Sequence, residues 1–167
     1  MKKVIILTGP GGSGKTAIAK LLKKNLNYTI LDGDREDTEF FQKGGQWFKK
    51  NFHKLTKAHN KILEKTKALV EKGKKIVVDY IIFGQYIEFF SKFQKEFGKN
   101  LQIAILFPNK QEIISRDKKR KCWTTGEKRI KTVYKEFEEI QNQIGKDKYL
   151  DTSNQSAKES FEKYFKS

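Results

Sequence analysis

At 167 residues the chain has the length of one domain, and 13 Phe, 6 Tyr and 2 Trp within a 37% hydrophobic composition make a real core available. No apolar run approaches the ~18–20 residues of a membrane span, and one cysteine, Cys122, allows no internal disulfide, which suits a reducing compartment such as the cytoplasm. The net charge of +16 bears on partners and solubility, not on fold; its 36 basic residues include only four arginines, Arg35, Arg116, Arg120 and Arg129, and lysine is spread over almost every segment.

Met1-Lys2-Lys3 and the apolar residues after it are too short for a secretion signal. Val4-Ile5-Ile6-Leu7-Thr8 reads as a buried strand instead. It leads into Gly9-Pro10-Gly11-Gly12-Ser13-Gly14-Lys15-Thr16, which fits G-x-x-x-x-G-K-[ST] at every fixed position, and Ala17–Leu22 then begin a helix. In that strand–loop–helix setting the glycines let backbone N–H groups turn toward phosphate oxygens, and the helix N-terminus adds a positive dipole end. The expected contacts to a nucleoside triphosphate come from Gly11, Gly12, Ser13 and Gly14. Lys15 is expected at the β/γ-phosphates and the Thr16 hydroxyl on Mg²⁺.

Tyr28–Asp32 reads as a second strand, ending in the acidic run Asp32-Gly33-Asp34-Arg35-Glu36-Asp37. Carboxylates at that end of a parallel strand lie on the ligand side of a doubly wound sheet. An aromatic, irregular patch follows, with Phe40, Phe41, Trp47, Phe48 and Phe52. Leu55, Ala58, Ile62, Leu63, Leu69 and Val70 then fall at helical spacing, up to Gly73. Lys75–Asp79 is a β-branched third strand whose terminal Asp79 resembles the end of a Walker B strand. Tyr86, Phe89, Phe90, Phe93 and Phe97 mark the next helix, closed by Gly98. Leu101–Phe107 is a fourth strand, and residues 109–118 a helix. Lys118–Gly126 is polar, basic and without apolar period. Ile130 to Ile144 gives one long amphipathic helix, residues 148–151 a short fifth strand, and residues 155–165 a last helix. The alternation predicts a three-layer α/β fold, with five parallel strands and helices on both faces.

With these residues in place the chain resembles small P-loop kinases of the nucleoside-monophosphate-kinase-like group. Four pieces carry the resemblance: the P-loop; Leu31-Asp32-Gly33-Asp34, similar to the Asp-x-Asp of gluconate, shikimate and adenylylsulfate kinases; Phe107-Pro108 through Arg116 and Arg120, similar to the lid of those kinases and of chloramphenicol phosphotransferase-like and AAA-domain-type kinases; and Tyr149-Leu150-Asp151-Thr152-Ser153, similar to the turn beside the adenine. The resemblance implies strand order 2-3-1-4-5, one kinase domain with a lid near residues 117–128 and an acceptor-binding region near 33–55, and ATP with Mg²⁺. Three features of those relatives are missing: the Gly-Gly-Gly of shikimate kinase after the third strand, the His of gluconate kinase after Asp-Gly-Asp, and the arginine-rich monophosphate site of adenylate kinases.

The expected roles follow from what phosphoryl transfer needs: positioned phosphates, neutralised charge and an aligned acceptor oxygen. Asp34 is the candidate to take or orient the acceptor hydroxyl's proton. Asp32 is either a Mg²⁺-side or a structural carboxylate, and Asp79 either holds Mg²⁺ through water or caps its strand. Arg120 is the lid arginine for the transferring phosphoryl group. Arg116, Thr152 and Ser153 are expected beside the adenine or α-phosphate. Arg129 faces either the site or solvent. Arg35, Tyr80 and one of Phe41 or Trp47 are expected at the acceptor pocket, with Phe48 and Phe52 in the core; Trp123 stacks on a base or is an exposed hinge aromatic. His53 and His59 read as ordinary helix residues. Three functions compete: a small-molecule kinase, favoured by the lid and Asp32-Gly33-Asp34; a polynucleotide 5′-hydroxyl kinase or other nucleic-acid-acting enzyme, favoured by the charge but lacking an Arg/aromatic stripe; and a nucleotide-binding switch without transfer.

Overall fold

The computed structural model describes residues 1–42, 45, 48–82, 84–121 and 124–166. Five strands, β1 (Val4–Thr8), β2 (Tyr28–Asp32), β3 (Lys75–Asp79), β4 (Leu101–Leu106) and β5 (Tyr149–Leu150), form one parallel sheet in the order β2-β3-β1-β4-β5. This is the expected topology. β1 lies at the centre because every residue in it is buried and it pairs on both edges, with β3 from Val4↔Ile76 and with β4 from Val4↔Leu101.

Alternation along the strands divides the core into two layers. Val4, Ile6, Leu31, Ile76 and Val78 point to the face covered by α3 (Phe52–Glu71) and α4 (Glu88–Phe97), with Leu55, Ile62, Phe89 and Phe93. Ile5, Leu7, Val77, Ala104 and Leu106 point the other way. They meet Ile18 and Leu22 of α1 (Lys15–Leu26) and Phe161 and Phe165 of α8 (Ala157–Phe165). Ile105 meets Val133 and Phe137 of α6 (Glu127–Glu139). The starts of α5 (Lys110–Lys118) and α8 carry side-chain caps. Asn109 accepts the Glu112 N–H ahead of α5, and Ser156 with Glu159 forms a capping box at α8. Among the described residues no helix is long and apolar enough to cross a membrane.

The acidic run after β2 forms a one-turn helix, α2 (Gly33–Glu36), because the Asp32 carboxylate accepts the Arg35 N–H as its N-cap. Three local expectations change. The long helix after residue 126 breaks into α6 and α7 (Gln141–Ile144). At the break the Tyr149 hydroxyl donates to the Phe137 carbonyl at 2.6 Å, occupying the acceptor that the Gln141 N–H would use. Phe48 is not core: it is 58% exposed, with the Lys50 ammonium 5.8 Å from its ring centre. Phe41 is not an open pocket wall, since it is buried in the cluster that holds Leu55, Ala58 and Tyr80. Trp47 and Trp123 lie outside the described residues.

His59 is more than an ordinary helix residue. It is fully buried in α3, in ring contact with Tyr80, Tyr86 and Phe89, and its closest charged neighbour is the Glu88 carboxylate at 3.5 Å. Burial pushes its imidazole down to about 4, against the pull of Glu88. The native state therefore stays unprotonated where the unfolded chain takes a proton, and stability is lost as pH falls from 6.5 toward 4. His59→Leu is expected to flatten that part of the stability curve, measured as urea midpoints of wild type and variant at each pH; parallel curves would show that His59 does not titrate there.

Candidate functional site

The C-terminal ends of the strands share one edge of the sheet. Leu7 of β1 is level with Asp79 of β3, which is level with Asp32 of β2. The P-loop leaves β1 at this edge and wraps the start of α1. Its first turn is fixed by Gly9, with φ 141; a Cβ there would lie 2.3 Å from the Leu106 carbonyl oxygen. Lys15 is 8% exposed and donates to the Gly9 carbonyl at 2.8 Å and the Pro10 carbonyl at 3.1 Å. Burial pushes its ammonium down from the ordinary lysine range; the Asp79 and Asp34 carboxylates oppose this and the Arg120 charge adds to it. The Thr16 hydroxyl donates to the Asp79 carboxylate at 3.0 Å. Burial raises Asp79, while Lys15 and the Thr16 hydroxyl pull it back. A hydroxyl and a half-buried carboxylate in direct contact form an all-oxygen donor set, which fits a hard divalent cation.

On the β2 side, Asp34 is half-buried. Burial pushes its carboxyl up to about 7, with Lys15 acting against that and Asp37, Asp32 and Asp79 reinforcing it. A carboxylate poised there is suited to exchange a proton at neutral pH. Asp32 is exposed and occupied in capping α2, so its observed bond is structural; Arg35 is exposed. Tyr80 is 1% exposed and donates its hydroxyl to Asp37 at 3.0 Å, so it tethers this corner instead of lining open space. Asp37, 2% exposed and raised to about 6 chiefly by burial, was missed in the sequence although it closes the same acidic run. Nothing in its spacing separates it from the other acids of the run.

On the β5 side, a cavity of about 260 Å³ is lined by Ser13, Gly14, Ile18, Arg116, Thr152 and Gln155, among others. The Arg116 guanidinium reaches the carbonyls of Ser13 (3.5 Å), Thr152 (3.4 Å) and Gln155 (3.2 Å) and pairs with Glu112 one turn earlier. Ser13 and Thr152 each bury a hydroxyl without a hydrogen-bond partner. Ser153 does not join them: its hydroxyl accepts the Asn109 N–H at 2.8 Å, and it faces a different depression with Phe107 and Tyr134. Glu112, a second residue missed in the sequence, also accepts the Asn154 N–H at 2.7 Å. Its signal was the i, i+4 spacing to Arg116. Arg120 is half-buried while Lys118, Lys119 and Lys121 around it are exposed. Arg129 is half-buried and its charge acts on Glu136.

A family model described as "AAA domain" matches residues 5–141. The chain belongs to the AAA-domain family. A shikimate kinase of Hahella chejuensis (strain KCTC 2396) is 54% identical over 35 residues, which are 21% of this chain and 18% of that enzyme, so the match spans under a fifth of the relative's length. Among solved structures, an unliganded sugar kinase from Janibacter sp. HTCC2649 aligns at TM-score 0.72 and 15% identity, over 99% of this AAA-domain chain and 94% of that one. Deoxyadenosine kinase from M. mycoides with bound dATP aligns at TM-score 0.60 and 20% identity, over 98% and 97%. At these identities the structural matches speak to the fold, and the fold of this AAA-domain chain is that of the small P-loop kinases.

The corner that carries Asp34 depends on close packing. A Cβ on Gly33 would lie 2.4 Å from the Tyr80 ring. Gly33→Ala is expected to cost about 1–3 kcal/mol in urea unfolding, and less in a Tyr80→Leu background that makes room for the methyl group. Equal losses in both backgrounds would show that the ring is not what the methyl meets.

Proposed function

We propose that the protein is an ATP-dependent phosphotransferase, a single kinase domain that moves the γ-phosphoryl of Mg-ATP to a hydroxyl or phosphate oxygen of a small molecule. The observation that carries this is the placement of Asp34: a half-buried carboxylate, raised to about 7, within electrostatic reach of Lys15 and on the opposite side of β1 from the Arg116–Thr152 cavity. A site that only held a nucleotide would need the cavity and the P-loop but no such carboxylate.

In this reading the P-loop amides and Lys15 hold the phosphates, and the base lies in the cavity beside Arg116 and Thr152. Lys15 leaves the Gly9 and Pro10 carbonyls for phosphate oxygens. Arg120 balances charge on the transferring group. Asp34 accepts the proton of the attacking hydroxyl, or orients that hydroxyl toward the γ-phosphorus. Thr16 and Asp79 would hold Mg²⁺, with Asp32 level with Asp79 on the next strand; such an ion would supply neutralisation of phosphate charge. Residues 117–128 act as the lid and 33–55 as the acceptor region. Its setting is cytoplasmic.

A polynucleotide 5′-hydroxyl as acceptor is a second reading, favoured by the net charge of +16. The scatter of lysine without an Arg/aromatic stripe weighs against it. The test is transfer from γ-labelled ATP across nucleosides, nucleotides, sugars, aminoglycosides and a 5′-hydroxyl oligonucleotide. Asp34→Asn is expected to lower transfer to the responsive acceptor by about 10²-fold or more while ATP binding persists. Unchanged transfer would remove Asp34 from its role, labelling of the oligonucleotide alone would favour the second reading, and turnover unmoved by every acceptor would favour a nucleotide switch.

A further inference from the structure

One buried carboxylate has no part in the arrangement above. Asp117, in the last turn of α5, is 2% exposed. It accepts the backbone N–H groups of Thr125 at 2.9 Å and Gly126 at 3.1 Å, and the Arg120 guanidinium lies 3.7 Å from it. Its own carbonyl accepts the Arg120 N–H at 3.1 Å. One side chain therefore ties the end of α5 to Thr125 and Gly126. The segment leaving α5 carries the consecutive basic residues Lys118, Lys119, Arg120 and Lys121, and of these only Arg120 is turned partly inward. Thr125 in turn rests on the P-loop: a Cβ on Gly11 would lie 3.3 Å from the Thr125 hydroxyl oxygen. Burial would raise the Asp117 carboxyl, but the two amides and the Arg120 charge work against it, and the group lies below the ordinary carboxylate range.

From this geometry we infer that Asp117 is a positioning residue for phosphoryl transfer, fixing the Arg120 guanidinium and the Thr125-Gly126 turn over the P-loop before substrate arrives. The inference rests on the proposed role of Arg120. An arginine on an open basic loop must surrender side-chain and backbone freedom when it engages a phosphoryl group. The Asp117 buckle removes that freedom in advance, so the effect falls on the transition state, where Arg120 acts, more than on ground-state nucleotide binding. Asparagine cannot replace the carboxylate. It offers one acceptor oxygen, sets an NH₂ donor against a backbone N–H donor, and has no charge for Arg120.

The test compares wild type, Asp117→Asn, Arg120→Ala and the double variant. Turnover of γ-labelled Mg-ATP is measured with water as acceptor, and affinity is measured separately with the non-hydrolysable β,γ-imido analogue. Asp117→Asn is expected to slow turnover about tenfold with affinity changed less than about threefold. The double variant should be no slower than Arg120→Ala alone, and trypsin should cleave within 118–121 several-fold faster in Asp117→Asn than in wild type. Asp117→Glu, which keeps the charge, should recover part of the turnover; it carries the same comparison if Asp117→Asn does not fold. Losses that multiply in the double variant would overturn the inference, as would affinity falling in step with turnover. A slow Arg120→Ala beside an unaffected Asp117→Asn overturns the Asp117 role alone. An unaffected Arg120→Ala overturns it together with the role given to Arg120 under the proposed function.

Discussion

Parallel pairing in register is the constraint on which the rest of the molecule depends. Because β1 and β2 each pair in parallel with β3 between them, Asp32, Asp79 and the start of the P-loop emerge at one edge. Antiparallel pairing of the same strands would send Asp32 or Asp79 to the far edge. The hydrophobic alternation of β1 and β3 secures this register, since a slip of one residue would turn Val4, Ile6 and Val78 away from the layer they share with α3 and α4. The site is thus a by-product of core formation, and its precision is inherited from the buried aliphatic residues of the strands.

The P-loop is also supported from outside. Gly11 faces Thr125, Gly12 faces Ile113, and the Ser13 carbonyl faces Arg116. Three consecutive loop residues are each backed by a different residue from α5 or the segment that follows it. A loop that must present its N–H groups inward gains from such backing, because its glycines leave the backbone free to take many other shapes. The arrangement also explains why Glu112 matters beyond its ion pair: it holds Arg116 and the Asn154 amide, joining the P-loop, α5 and the turn after β5.

Much of this could be read from the chain alone, and the reasons are local. The strands are short, β-branched and bounded by glycine, proline or acidic residues, and the P-loop is a fixed spacing with one structural meaning. What escaped reading depends on contacts between residues far apart in sequence. Asp37 looks like its acidic neighbours until Tyr80 bonds to it. Ser153 looked like a partner of Thr152 until Asn109 claimed its hydroxyl. His59 sits at an unremarkable helical position until α4 and the residues after β3 surround it with rings. The break between α6 and α7 is invisible in the amphipathic pattern because a tyrosine from a later strand causes it.

The bond from Lys15 back to the Gly9 and Pro10 carbonyls has a consequence for how a ligand enters. The ammonium occupies the loop's own acceptors and ties the start of α1 to the first turn of the loop. Arrival of a phosphate is then an exchange of one oxygen for another around a cation already in place, without the disorder-to-order step that a bare glycine loop would require. Under the proposed function, a ligand's phosphate oxygens would have to compete with two carbonyl oxygens for the lysine.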